Sequence, residues 1–550
     1  MTARTRRRLI GSAIVAIVLV VIGLWLPGWL EGQVLRRSEA LVARAAGPES
    51  RIRIDKVDLD LWRGDVQWTG VDIEQPISAE RPPAPGQRSS GTVEKVDVRG
   101  LSYWQLLVKG KLSMRSLRIT RPHILLESSS DTLASAGAAA KEQSLSAFQS
   151  DTLIVDGGAF SMRKAATDTT TLSVDRIDIE VIGTKVQKIQ GSPLDVSIAS
   201  ASGQIRGISA TLPPLQILHV DGVELSGNGT SLRITGTTLR PVKGPQDYQQ
   251  MVKEESDLYD LRMDTAVLDG LDLGTLLSTR SLTASAARIA GVTADVFRDK
   301  TLPDNAYKHK RLPARMLREL PFKLRTDSVI LDRWNVQYHE KNTLSSEYGA
   351  VSFADIHAVA TGVSNLDTAG SDTLVITATA RAYDRTQVHL LLRTAIMDPS
   401  DRFIVNATIG ALPIGIFNRM TSDLVLARAT AGTIGGVDLT MNATDERATG
   451  RVDMEYDNLE LELLKQDGSG ERRKFMSGLL NQVVHQRNLR SDPGFRHGDF
   501  DFERRKDRSF FNYLWTGLRE GMITTALPGL LDDVRQIDQA NKTEKHNEGK

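Results

Sequence analysis

The stretch Ile177-Asp178-Ile179-Glu180-Val181 sets an aliphatic side chain at every second position with an acid between each pair. Successive side chains of a strand point to opposite faces, so these residues predict a β-strand with one dry side and one wet side. The alternation recurs at Ile52 and Ile54, Val66 and Trp68, Val71 and Ile73, Leu117 and Ile119, Val336 and Tyr338, Leu374 and Ile376, Val388 to Leu392, and Leu459 to Leu463. Four phrases join apolar-alternating arms: Val155-Asp156-Gly157, Val220-Asp221-Gly222, Leu268-Asp269-Gly270 and Leu331-Asp332-Arg333. Asp-Gly suits a two-residue hairpin loop, whose central positions need positive φ, so the phrases predict the reversals of a β-meander. Arg333 breaks the pattern in the fourth. Aromatic residues make up only 5% of the chain, a composition that suits many half-buried strands better than helical bundles. The expected fold class is mainly β.

At 550 residues the chain exceeds what one small core supports. Its 69 Lys and Arg balance 68 Asp and Glu, which leaves no overall electrostatic footprint for nucleic acid. The absence of cysteine excludes disulfides, thiolate nucleophiles and cysteine-based metal sites. The 22 residues from Leu9 to Leu30 carry no charge, and at 1.5 Å per residue they span roughly 33 Å, the thickness of a bilayer core. Leu26-Pro27-Gly28-Trp29-Leu30 lacks the small-x-small pattern of a cleaved signal peptide, so this segment is expected to stay as a transmembrane helix. Arg4, Arg6, Arg7 and Arg8 crowd its start, which predicts a cytoplasmic N-terminus at residues 1–8 and export of everything from residue 31.

Pro76 to Gly91 reads as a loop, and Ser128 to Ser150 as an Ala/Ser low-complexity linker, with residues 128–150 separating an N-terminal β module (31–127) from a longer β region (151–470). Between Pro303 and Pro321 lies a basic insertion with Lys308, Lys310, Arg311, Arg315 and Arg318. It reads as a solvated loop with a short helix, and contact with anionic lipid headgroups is the rival reading. The period changes in residues 471–531: Phe475, Leu479 and Val483, and later Phe510, Phe511, Leu514, Leu518 and Met522, follow helical spacing. Two amphipathic helices are expected, packed on the sheet or inserted into a membrane face, before a polar tail at 532–550. No His-Glu-x-x-His, Gly-x-Ser-x-Gly or phosphate-loop phrase occurs, so no catalytic residue, metal or cofactor is expected. A pair of carboxylates assembled only in space keeps an exported hydrolase open as an alternative.

The order of these features resembles the AsmA-like envelope proteins, the group that includes TamB-type and other bridge-like, repeating β-groove lipid transporters. The likeness rests on the anchor followed by Ile52 to Pro76 (IRIDKVDLDLWRGDVQWTGVDIEQP), on Leu101 to Leu112 (LSYWQLLVKGKL) with Leu117 to Glu127 (LRITRPHILLE), and on the alternating strands from Gly435 to Leu463 around Gly450 and Tyr456. The resemblance implies an elongated, curved antiparallel sheet with an apolar groove for acyl chains, anchored in the inner membrane of a double-membraned bacterium with its bulk in the periplasm. It implies no enzyme activity. Phospholipid and the inner membrane are then the expected partners, and a stack of about 25 strands at about 4.8 Å would need an outer-membrane or periplasmic protein at its far end. On this reading Ile177, Ile179, Val181, Val336, Tyr338, Leu390 and Leu392 are the candidate groove-lining residues. The alternative is an envelope scaffold that influences outer-membrane protein assembly through strand edges or its C-terminal helices.

Overall fold

The computed structural model describes residues 51–526, apart from 61, 75–87, 103, 106–110, 129–146, 165–166, 168, 188–194, 214–215, 253, 304–308, 342–348, 367–372, 417, 419–426 and 464–485. The expected helix at Leu9–Leu30, the helical spacing around Phe475 and the polar tail lie outside the described residues. Among the described residues no helix is long and apolar enough to cross a membrane. The chain divides into two compact units, Met1–Thr237 with Asp269–Arg280, and Thr238–Leu268 with Ser281–Lys550. Both are mainly β, built on curved, unclosed and mostly antiparallel sheet.

The first unit holds β1 (Arg51–Asp60), β2 (Asp65–Glu74), β3 (Arg88–Arg99), β4 (Lys111–Ser128), β5 (Ala147–Lys164), β6 (Thr169–Gln187), β7 (Asp195–Ser197), β8 (Ser200–Leu212), β9 (Gln216–Leu225) and most of β10 (Ser231–Pro241). After α1 (Pro245–Met251), the second unit holds most of β11 (Asp257–Asp269), while α2 (Leu273–Thr279) belongs to the first unit. The second unit continues with β12 (Ser281–Asp299), α3 (Pro313–Arg318), β13 (Lys323–Lys341), β14 (Gly349–Ser364), β15 (Thr373–Ala382), β16 (Thr386–Ala395), β17 (Phe403–Ile409), β18 (Ala427–Ala443), β19 (Arg447–Leu463), β20 (Gly498–Glu503) and α4 (Phe510–Ala526).

Among the described registers, strands pair antiparallel apart from β4 with β5 and β12 with β13, which are parallel. Parallel neighbours need a long crossover instead of a tight turn. The two crossovers are residues 129–146 and 300–322, so the stretches read as linker and basic insertion are where the meander is interrupted. β5 begins at Ala147, inside the stretch read as low-complexity, and Phe148 and Ser150 are already buried there.

The Asp-Gly phrases are not hairpin loops. Asp156-Gly157 lies inside β5, Asp221-Gly222 inside β9 and Asp332-Arg333 inside β13, while Asp269 ends β11. Gly157 and Arg333 do adopt positive φ, of 66° and 53°, but the pairing of each strand resumes beyond them after a register shift, between Val155 and Gly158 and between Leu331 and Trp334. The extra residue bends the strand as a bulge does, without reversing it. Positive φ is needed by both devices, which is why the dipeptide alone misleads.

A second form of the bend repeats across neighbouring strands. A positive-φ glycine faces an aspartate on the adjacent strand: Gly70 against Asp55, Gly207 against Asp175, Gly236 against Asp221 and, in the second unit, Gly291 against Asp264. A Cβ at these glycines would stand 2.2, 2.0, 1.9 and 2.2 Å from the carboxylate oxygen. At Gly157 the backbone N–H donates to Asp178 Oδ1 at 2.8 Å.

The cores sit on one side of each sheet. In the first unit Val66, Trp68, Val98, Leu112 and Met114 form the most buried cluster, with Trp68 and Leu112 wholly buried. In the second unit α4 packs on β19 and β20, adding Tyr513, Leu518, Met522 and Ile523 to Met441, Val452 and Phe500. Gly517 and Gly521 let the helix approach: a Cβ on Gly521 would lie 2.3 Å from Val452 Cγ2, and one on Gly498 would lie 1.9 Å from the Gly521 carbonyl oxygen. Phe510 packs edge-on to Phe403 at 5.4 Å, whereas Phe511, read on the same helical face, is 79% exposed.

Gly207→Ala is expected to lower stability by about 1–3 kcal/mol, because it adds both a left-handed backbone penalty and a clash with Asp175. Gly227, with open space around its Cα, supplies the control: thermal and denaturant melts should leave Gly227→Ala near the parent and shift Gly207→Ala down.

Candidate functional site

Directly opposed residues on paired strands share a face, so the registers trace where the apolar side runs. In the first unit Val155, Ile179, Gly203 and Leu225 form one rung across β5, β6, β8 and β9, and Gly158, Ile177, Ile205 and Val223 form the next. Val181 pairs with Leu153 and with buried Ala201. Ile177, Ile179 and Val181 therefore lie together on a continuous aliphatic face, and all three are half-buried. Toward β1–β4 the same kind of face is sealed around Trp68 and Leu112.

In the second unit Val336 sits between Ala294 and Phe353, and Tyr338 between Val296 and Val351. Val336 and Tyr338 are half-buried, and Phe353 is 37% exposed. The Tyr338 hydroxyl donates to Glu340 at 3.0 Å, and Lys300 Nζ reaches the other oxygen of that carboxylate at 2.6 Å. Beside them the buried Glu255 accepts from Arg298 at 2.8 Å, with Asp257 at 3.2 Å from the same guanidinium. Burial, with the Glu340 carboxylate adding to it, pushes the Tyr338 phenol well above its ordinary pKa. Leu390 and Leu392 lie in a different setting: Leu392 is 2% exposed within the core cluster that α4 joins, and Leu390 packs at its border.

Two of the five basic residues of the insertion, Arg315 and Arg318, join a buried ion cluster of the second unit. Arg315 Nε and an Arg318 guanidinium nitrogen each lie 2.7 Å from Asp401, whose side chain is wholly buried, and Arg318 also donates to the carbonyl of Ile396 at 2.6 Å. His309 Nε2 is 3.0 Å from Asp445, which also pairs with the fully buried Arg504. Arg504 in turn donates to the backbone carbonyl of Lys310, and Lys310 N–H donates to Lys506 O at 2.7 Å. The insertion is thus tied to the loops after β16, β18 and β20. Lys310 and Arg311 are exposed, Arg311 pairing with Glu319 at 2.9 Å, and Lys308 lies outside the described residues.

A cleft of about 590 Å³ opens on β13–β17. It is lined by Ile330, Val359, Leu391 and the candidate Leu390, together with Asp332, His357 and His389, which sequence reading did not single out. His357 bridges two acids, Nδ1 at 2.9 Å from Asp332 and Nε2 at 3.2 Å from Asp355. These residues lie far apart in sequence and carry no common motif. Among the described residues no group of three or more His, Asp or Glu side chains is placed to hold a metal ion.

Compared with known protein families the chain matches no family model, and it matches no curated protein.

Two outcomes test the geometry. Asp401→Ala leaves Arg318 without its buried counter-charge and Arg315 with only Asp445, at 3.5 Å, and should cost about 3–5 kcal/mol, read as a lowered denaturation midpoint; Lys310→Met should not move it. For Tyr338 the neutral phenol is the form the fold favours, so its contribution is complete below the ordinary tyrosine pKa and fades as pH rises toward the raised one. Alkaline titration followed at 295 nm should show a late-ionising class of tyrosines that loses one member in Tyr338→Phe.

Proposed function

We propose that the chain is an AsmA-like, inner-membrane-anchored protein of the bacterial envelope whose periplasmic sheet binds or conducts phospholipid by its acyl chains, without chemistry. The observation that carries this reading is the half-buried aliphatic face of β6, β8 and β9, together with the comparable surface around Val336, Tyr338 and Phe353. Aliphatic surface left in contact with water costs free energy in proportion to its area. An acyl chain removes that surface from water and gains about 0.8 kcal/mol for each methylene it buries. The strands supply a lining of Ile, Val, Leu and Ala with their hydrogen bonds already made between strands, so a tail meets no unsatisfied backbone group there. Leu9–Leu30 would hold the sheet beside the bilayer that supplies the lipid. Lys310 and Arg311 remain available to a headgroup; Arg315 and Arg318 act inside the fold.

Mass spectrometry of full-length protein extracted in mild detergent should find phospholipid in stoichiometric amount. Val336→Asp and Tyr338→Asp, singly and together, should lower the lipid-to-protein ratio while leaving the melting curve intact. Protein that carries no lipid when gently extracted would overturn the reading, and variants that unfold would mark the face as closed core.

A further inference from the structure

Among the described residues β1 pairs with β2 alone, along the whole of Arg51–Asp60, and its other edge has no strand beside it. An open edge with a full row of backbone donors and acceptors is a template for another strand. What distinguishes this edge is its own sequence. Ile52, Ile54, Val57 and Leu59 face the core side, half-buried or buried, whereas Arg53, Asp55, Lys56 and Asp58 face out. The change of phase falls between Asp55 and Lys56, at the centre of the strand.

We infer that β1 is a self-complementary docking edge whose partner is β1 of a second copy of this chain, paired antiparallel about a two-fold axis between Asp55 and Lys56. In that register Arg53 stands opposite Asp58, Asp55 opposite Lys56, Ile52 opposite Leu59 and Ile54 opposite Val57. Each outward pair has opposite charges and each inward pair is aliphatic. The phase change lies on the axis, so the faces match on both sides of it. Sliding by two residues in one direction sets Asp55 opposite Asp58 twice, and in the other sets Arg53 opposite Lys56 twice, and like charges opposed on neighbouring strands repel. A slide by one residue sets Ile54 opposite Asp58 or opposite Lys56 and mixes the faces. One register alone satisfies both charge and face.

The outward side chains are available for exchange. Arg53 and Asp55 are 80% and 56% exposed at 3.4 Å from each other, and Lys56 and Asp58 are 66% and 49% exposed at 2.7 Å. Exposed pairs of this kind along one strand contribute little to stability, so re-pairing them across the axis meets little resistance. The joined edges would carry the aliphatic side of the first unit from one copy into the next, whether or not that side takes up lipid.

The chain has no cysteine of its own, so introduced thiols report without background. In the full chain, kept in its membrane and treated with a mild oxidant, the double variant R53C/D58C should give a disulfide-linked dimer on a non-reducing gel. R53C and D58C alone should not, because each residue lies about 17 Å from its own mate across the axis. Charge reversal in R53D opposes like charges at both ends of the pairing and should weaken the dimer measured by sedimentation in mild detergent, and R53D/D58R should restore it. A double-cysteine variant that forms no more dimer than the single ones would overturn the pairing, as would an R53D protein that sediments like the parent. Both sites are exposed, and an unchanged melting curve separates loss of pairing from loss of fold.

Discussion

Every long strand of this protein has to keep its aliphatic side chains on one side of the sheet while bending. Because the side-chain period is two, a bend that adds one residue throws all later side chains to the wrong face unless the sequence pattern shifts with it. It does shift. The inward positions of β1 run Ile52, Ile54, then Val57, Leu59, and those of β2 run Val66, Trp68, then Val71, Ile73. The partners change phase on the same rung, between Ile54 paired with Val71 and Val57 paired with Trp68, so the ladder is not broken. Asp55 and Gly70 sit at that rung, the glycine supplying a positive φ and the room in which the carboxylate lies. Repetition of the device at Asp175 with Gly207 and Asp221 with Gly236, and in the second unit at Asp264 with Gly291, gives curvature while preserving the dry face within each unit.

A dry face must be covered, and the second unit shows how this chain covers one. Over β18–β20 the cover is α4, seated by glycines on both partners. At the neighbouring loops it is α3, fixed by the charges of Arg315 and Arg318 on Asp401 and by the contacts of Arg504 with Asp445 and Lys310. Buried ion pairs of this kind are poor sources of net stability compared with aliphatic packing, but breaking one partner is costly, so they hold a segment to a single position. The basic insertion therefore combines two roles, the crossover that parallel β12 and β13 require and the closure of the strand ends.

How much of this was legible in the sequence follows from range. Alternation is local, and it located β1, β2, β4, β6, β13, β15, β16 and β19, including the shared face of Ile177, Ile179 and Val181. The Asp-Gly phrases were found but assigned to reversals, because positive φ serves a bend and a hairpin alike and only the pairing on both sides tells them apart. The parallel pairs were missed for a similar reason: a crossover and a linker have the same composition, and direction is a property of two strands. Arg315 and Arg318 read as surface charge because Asp401 and Asp445 lie some eighty and more than a hundred residues away. The cleft around His357 joins residues from five strands, a relation no local window contains.

Leu392 and Val336 make the remaining point about function. Each lies on an alternating strand, each faces the aliphatic side, and sequence gives them the same reading. One is 2% exposed within a cluster completed by a helix, and the other is half-buried beside a Phe353 that is 37% exposed. Alternation therefore specifies that a face wants cover but leaves open what provides it. Where a helix of the same chain is seated by matched glycines, the face becomes core. Where the chain supplies no such element among the described residues, the same physical demand can be met by any apolar chain of comparable width. On the proposed reading an acyl tail meets it, and the two faces differ in how they would do so: the rungs through Ile177 and Ile179 are purely aliphatic, whereas the one at Tyr338 carries a phenol bonded to Glu340.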